Sequence, residues 1–155
     1  MVRLAVLRFA VDGILSAVEL ANEEDAMAKQ FITPQGMMAP TGYSYAVKKS
    51  GTPVFIAGQV ALDGTGRLVG EGDAAAQTEQ VFQNLRTVVQ ACGGTMDDIV
   101  KITIYTVDAA HRPAIVAARQ RHFKEGQYPA STYIVITALA LPQFLVEIEA
   151  VAMIE

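Results

Sequence analysis

Residues 128–155 read YPASTYIVITALALPQFLVEIEAVAMIE, and this stretch decides the fold. It holds two β-type runs separated by a short break at Ala140-Leu141-Pro142-Gln143. At period two, the second run sets Val146, Ile148, Ala150, Ala152 and Ile154 on one face and Leu145, Glu147, Glu149, Val151 and Met153 on the other. The first face is wholly apolar and belongs against a core. The second carries two carboxylates, which are costly to bury without partners. That face therefore meets solvent, a cleft or cationic groups; two simply solvated edge carboxylates account for the spacing equally well.

Upstream, Pro53 to Val60 is a strand in which Gly58 marks a bulge or a close backbone approach. Asp63-Gly64-Thr65-Gly66 is a turn, and Arg67-Leu68-Val69 is a short return. The glycines from Gly64 to Gly72 lack both the P-loop lysine spacing and the third dinucleotide-binding glycine. Asp73 is a suitable N-cap for a helix whose apolar stripe runs through Thr78, Val81, Phe82, Leu85, Val88, Val89 and Cys92, stopped by Gly93-Gly94. On this reading Cys92 is a small core residue. Ile99 to Val107 is a β-branched strand ended by Asp108, and a second helix runs from about Arg112-Pro113 to Lys124, ended by Gly126. Asp97-Asp98 fall where a turn and its capping residues belong. His111 and His122 are too far apart for a one-face metal pair. Strands, helix, strand, helix and two strands make an α+β chain, a mixed sheet packed under two helices.

The chain has 155 residues, 52% of them hydrophobic and 18% charged, enough for one domain with a sizeable core. A net charge of −4 gives no basic footprint for nucleic acid. The single cysteine forms no internal disulfide, which favours a reducing, cytoplasmic setting. Residues 1–27 differ from the rest and read as an N-terminal extension, helical or dispensable. Arg8 and Asp12 interrupt its apolar run, so it is neither a signal peptide nor a membrane span.

From about residue 30 onward the chain resembles the Rid superfamily (RidA/YjgF, L-PSP endoribonuclease-like). Gly42-Tyr43-Ser44-Tyr45-Ala46-Val47 is similar to that family's PYSQAV segment, and Phe55-Ile56-Ala57-Gly58-Gln59 to its FVSGQ strand. The run from Ala76-Gln77-Thr78 to Asn84-Leu85 resembles its AQT…NL helix, and Lys101-Ile102-Thr103-Ile104-Tyr105 its KTTVF strand. Tyr128-Pro129-Ala130 resembles FPAR, and Val146-Glu147-Ile148-Glu149-Ala150 resembles IEIEA. The resemblance makes residues 28–155 a Rid-like domain. It implies a chorismate-mutase-like fold assembled as a homotrimeric barrel, with small-molecule clefts between subunits and no metal or cofactor.

Archetypal family members hydrolyse imines or enamines to ketoacids and ammonia, holding the substrate carboxylate on an arginine and activating water with a strand glutamate. Carried over by position, the glutamate is Glu147, and the aromatic cleft residues are Tyr43 and Tyr105. The arginine position is occupied by Ser131, a neighbouring cysteine position by Tyr133, and a helix asparagine position by Val116. Archetypal 2-iminoacid deaminase activity is therefore not expected. What remains is a hydrolase or deaminase acting on an imine- or enamine-type metabolite other than 2-aminoacrylate. The alternative is a non-catalytic ligand- or protein-binding trimer; the acidic charge disfavours an endoribonuclease. Arg119, one turn beyond Val116, can reach the cleft, although a surface arginine snorkelling over the sheet is the favoured reading.

Overall fold

The computed structural model describes residues 28–155, so the N-terminal extension at 1–27 lies outside the described residues. In chain order the elements are β1 (Gln30–Ile32), β2 (Ala46–Lys48), β3 (Thr52–Gln59), α1 (Ala74–Ala91), β4 (Ile99–Thr106), α2 (Arg112–His122), β5 (Ala130–Val135) and β6 (Val146–Ile154). β1 and β2 form an antiparallel ribbon, and the main sheet runs β3-β6-β4-β5. β6 lies antiparallel to both its neighbours, whereas β4 and β5 are parallel with α2 as their crossover. The α+β architecture, a mixed sheet under two helices, is the one the spacing predicts.

The alternation in the last strand sorts the sheet into two faces. Val146, Ile148, Ala150, Ala152 and Ile154 are all buried beneath the helices. They join Val81, Phe82, Leu85 and Val89 of α1 and Ile115 of α2 in one core. Phe82 stacks on His122 at 4.8 Å and meets Phe123 edge-on at 5.9 Å, which ties the two helices together. The opposite face is open. It carries Phe55, Val151, Lys101, Glu149, Tyr105 and Glu147, aligned across β3, β6 and β4 by direct register.

Local signals set the element ends. The Asp73 carboxylate accepts from the backbone N–H groups of Ala75 and Ala76 and caps α1. Gly93, at φ 88°, turns the chain out of the helix. Cys92 departs from expectation: it is exposed and does not join the core. It is the C-cap residue, so the helical rotation that would carry it under the sheet has already ended. The Asp97-Asp98 turn behaves as read. Asp98 accepts from Thr95 and pairs with Lys49, while Asp97 pairs with Lys124. Among the described residues no helix is long and apolar enough to cross a membrane.

Candidate functional site

A cleft of about 170 Å³ opens between α2 and the edge strand β5, lined by Thr41, Tyr43, Arg112, Val116, Arg119, Ser131 and Tyr133. Five of the positions singled out from sequence, Tyr43, Val116, Arg119, Ser131 and Tyr133, meet here. The register explains why. Ser131 and Tyr133 stand directly opposite Ile102 and Ile104, which are buried, so both point to the helix side of the sheet. Tyr43 is brought in by its neighbour: the Ser44 hydroxyl donates to the Tyr128 carbonyl at 2.6 Å, and the Ser44 N–H to that of Pro129 at 3.2 Å.

Arg119 corrects the snorkelling expectation. It is only 5% exposed, and its Nη1–H donates to Ser131 Oγ at 3.1 Å. It shares a helical face with Ile115, four residues earlier and fully buried. An arginine on the core-facing stripe of a short helix was the signal in the sequence that pointed inward. Its Nε–H is buried without a hydrogen-bond partner. Among the described residues it forms no salt bridge. Burial, and then the neighbouring Arg112 charge, push the guanidinium below its ordinary pKa. The Tyr133 hydroxyl is likewise buried without a hydrogen bond of good geometry, although the Thr106 hydroxyl lies nearby.

The backbone of the 40–44 loop closes over this guanidinium. A Cβ at Gly42 would lie 3.1 Å from Arg119 Nη2, and Gly42 has φ 70°, so both space and conformation favour glycine. Arg112 lies at the mouth, its Cζ 6.0 Å from the Tyr133 ring centroid. Neither Arg112 nor Thr41 was identified from the sequence, where an arginine at a helix start looks like any solvated charge.

Glu147 and Tyr105 lie elsewhere. They are directly opposed partners on the open face of the sheet, facing away from the Ser131 cleft. Within one chain the structure therefore does not surround Ser131 with Tyr43, Tyr105 and Glu147 together. Glu147 lies close over Gly58: a Cβ there would be 2.7 Å from Glu147 Cδ and would overlap the carboxylate. The β3–β6 register shifts between Ile56 and Gln59, so the irregularity and the close approach read from Gly58 coincide. Tyr105 donates to Glu149 Oε1 at 3.3 Å, and desolvation followed by the Glu149 charge raises its pKa. Lys101 donates to Thr132 Oγ1 at 2.6 Å on the same face.

Other clusters have structural uses. A larger hollow of about 540 Å³ between the end of β3 and α1 has Asp63 as its one charged lining residue. Asp63 is already committed to the Thr65 and Arg67 N–H groups of its turn. His122 bonds Glu79, and His111 bonds the Thr106 hydroxyl. Among the described residues no group of three His, Cys, Asp or Glu side chains is arranged to hold a metal.

Residues 33–154 match the family model described as Endoribonuclease L-PSP. A RutC family protein of Pyrococcus horikoshii is 34% identical over 126 residues, covering 80% of this chain and 97% of that protein. A 3-aminoacrylate deaminase RutC of Acinetobacter baylyi is 33% identical over 126 residues, covering 81% and 98% respectively. Among solved structures, the Rid-family protein YyfB of Yersinia pestis superposes with a TM-score of 0.77 at 40% identity, covering 83% of this chain and all of that one. RidA of an Antarctic Psychrobacter superposes at 0.62 with 32% identity, covering 80% and 98%. The motifs and these matches agree, and the chain belongs to the endoribonuclease L-PSP family, the Rid (YjgF/RutC) proteins.

Proposed function

We propose that the protein is a homotrimeric deaminase that hydrolyses the imine or enamine of a small carboxylate-bearing metabolite, with Arg119 holding the carboxylate. The observation that carries this reading is Arg119 itself, a buried guanidinium with a hydrogen bond to Ser131, an unpartnered Nε–H and no salt bridge among the described residues. A buried cation in that state is costly, and an anionic ligand offsets the cost. A guanidinium is suited to a carboxylate because its donors form a planar fork. The expectation of lost deaminase chemistry assumed that Ser131 leaves the cleft without a cation. Arg119 removes that premise, with Ser131 as the group that orients it. The Acinetobacter relative, named for 3-aminoacrylate deamination, supports the same class of reaction.

In this reading the carboxylate sits against Arg119 and Ser131, and Tyr43 and Tyr133 wall the reacting carbon. Glu147, contributed by the open sheet face of a neighbouring subunit, accepts a proton from the attacking water. The water oxygen bonds to the imine carbon, both water protons pass to the nitrogen, one of them by way of Glu147, and the carbon–nitrogen bond breaks as the carbonyl forms, so that nitrogen leaves as ammonia. No electron is gained or lost. The trimer is part of the proposal because Glu147 and Arg119 occupy opposite faces of one sheet and meet only between subunits. The open face supports association: Phe55 is 80% exposed there beside Val151.

The test is the decay of 2-iminopropionate generated in situ and followed by semicarbazide trapping. Decay faster than in buffer is the expected result. Arg119-dependent carboxylate binding without turnover would favour the non-catalytic ligand-binding trimer. Neither binding nor turnover would sink both. For assembly, light scattering on a sizing column is expected to give three chains, and Phe55→Glu to give one. A concentration-independent monomer in the unmodified protein would overturn the trimer.

A further inference from the structure

We infer that the cleft selects a dicarboxylate, so that the substrate class is a 2-imino dicarboxylic acid of about four or five carbons. The inference rests on the Arg119 clamp proposed above and adds a second anchoring point, Arg112. Arg112, Val116 and Arg119 fall at i, i+4 and i+7 on α2 and form one stripe along the cleft. Seven residues of helix place the two arginine Cα atoms about 10 Å apart along the axis, and their long side chains converge on the same small space.

The charges there are unbalanced. Within one chain no acidic residue lines the cleft, and the one carboxylate the proposed trimer adds, Glu147, is assigned to the attacking water at the reacting carbon and not to either arginine. Among the described residues Arg112 forms no salt bridge, and its guanidinium lies over the Tyr133 ring. Asp108, the acid nearest along the chain, caps the next turn by accepting from the Ala110 N–H. Arg119 feels the Arg112 charge as a repulsion second only to its own burial. A monocarboxylate seated on Arg119 and Ser131 leaves Arg112 uncompensated. A dicarboxylate compensates both: one end on the buried arginine, the carbon chain against Val116, and the second carboxylate at the mouth beneath Arg112. The part of the cleft formed within one protein chain, about 170 Å³, sets the scale of that carbon chain. It lies well below the roughly 300–1,000 Å³ of clefts that take drug-sized ligands. The reaction keeps its balance: a 2-imino dicarboxylate and water give a 2-keto dicarboxylate and ammonia.

The experiment compares succinate with propionate by calorimetric titration of the full chain at low, matched ionic strength. Succinate is expected to bind at least about tenfold more tightly, the scale of one added charged hydrogen-bond pair. Rising salt should narrow that ratio, since Arg112 is exposed. Arg112→Gln should bring the ratio below about twofold, and Arg112→Lys should keep part of it. A wild-type ratio below twofold, or a full ratio surviving in Arg112→Gln, overturns the inference. Propionate binding that is lost in Arg119→Met, without any succinate preference, leaves the clamp standing and removes only the second anchor. Failure of both acids to bind overturns the clamp and this inference together.

Discussion

Arg119→Met is expected to stabilise the ligand-free protein by about 1–2 kcal/mol while abolishing carboxylate binding. The two effects have one origin. Arg119 is almost fully buried, its Nε–H has no partner, and among the described residues no carboxylate neutralises it. Methionine fills a similar shape without a charge to desolvate. The hydrogen bond lost is the one to Ser131, a half-buried residue whose hydroxyl can turn to water instead. For a chain of this size each kcal/mol moves the melting midpoint by roughly 2–4 °C. Succinate should raise the midpoint of the wild type by mass action and leave that of Arg119→Met where it is. A structural arginine predicts the opposite sign. If the variant melts several degrees lower and still binds the acid, Arg119 is part of the scaffold and the proposed clamp is wrong.

Glu147→Gln and Gly58→Ala should each lower imine hydrolysis by about two orders of magnitude or more, the usual effect of removing or misplacing a general base. Glutamine keeps the shape of Glu147 and loses its capacity to take a proton. Alanine at Gly58 acts indirectly, because the added carbon would occupy the space of the Glu147 carboxylate and force it aside. Gly58 is therefore a positioning residue. Its backbone is not among the glycines of positive φ, so alanine there is not strained by conformation and the fold should survive. Two readouts separate position from stability: the succinate Kd should not rise in either variant, and the melting midpoint should stay within a few degrees. If Gly58→Ala turns over at the wild-type rate, the carboxylate can move without consequence and Glu147 is not the base.

The core was legible because it rests on periodicity. Val146, Ile148, Ala150, Ala152 and Ile154 alternate without interruption, and all are buried. The stripe from Thr78 to Val89 was legible for the same reason and failed only at Cys92, where the helix ends. A period holds only as far as its element does, and element ends are set by caps and backbone turns.

The sequence by itself determined the order of elements, the face of the last strand that meets the helices, and the close approach at Gly58. These depend on side-chain alternation and turn chemistry, which act over a few residues. Only the tertiary structure decided that Arg119 is buried against Ser131, that Arg112 shares their cleft, and that Glu147 faces the other way. Arg119 and Ser131 are 12 residues apart, one on the crossover helix and the other on the strand that follows it. Their meeting depends on where that crossover lays α2 over β5. A long flexible arginine can satisfy its charge in water or in a cleft from the same position in the sequence, and packing of the helix against the sheet chose between them.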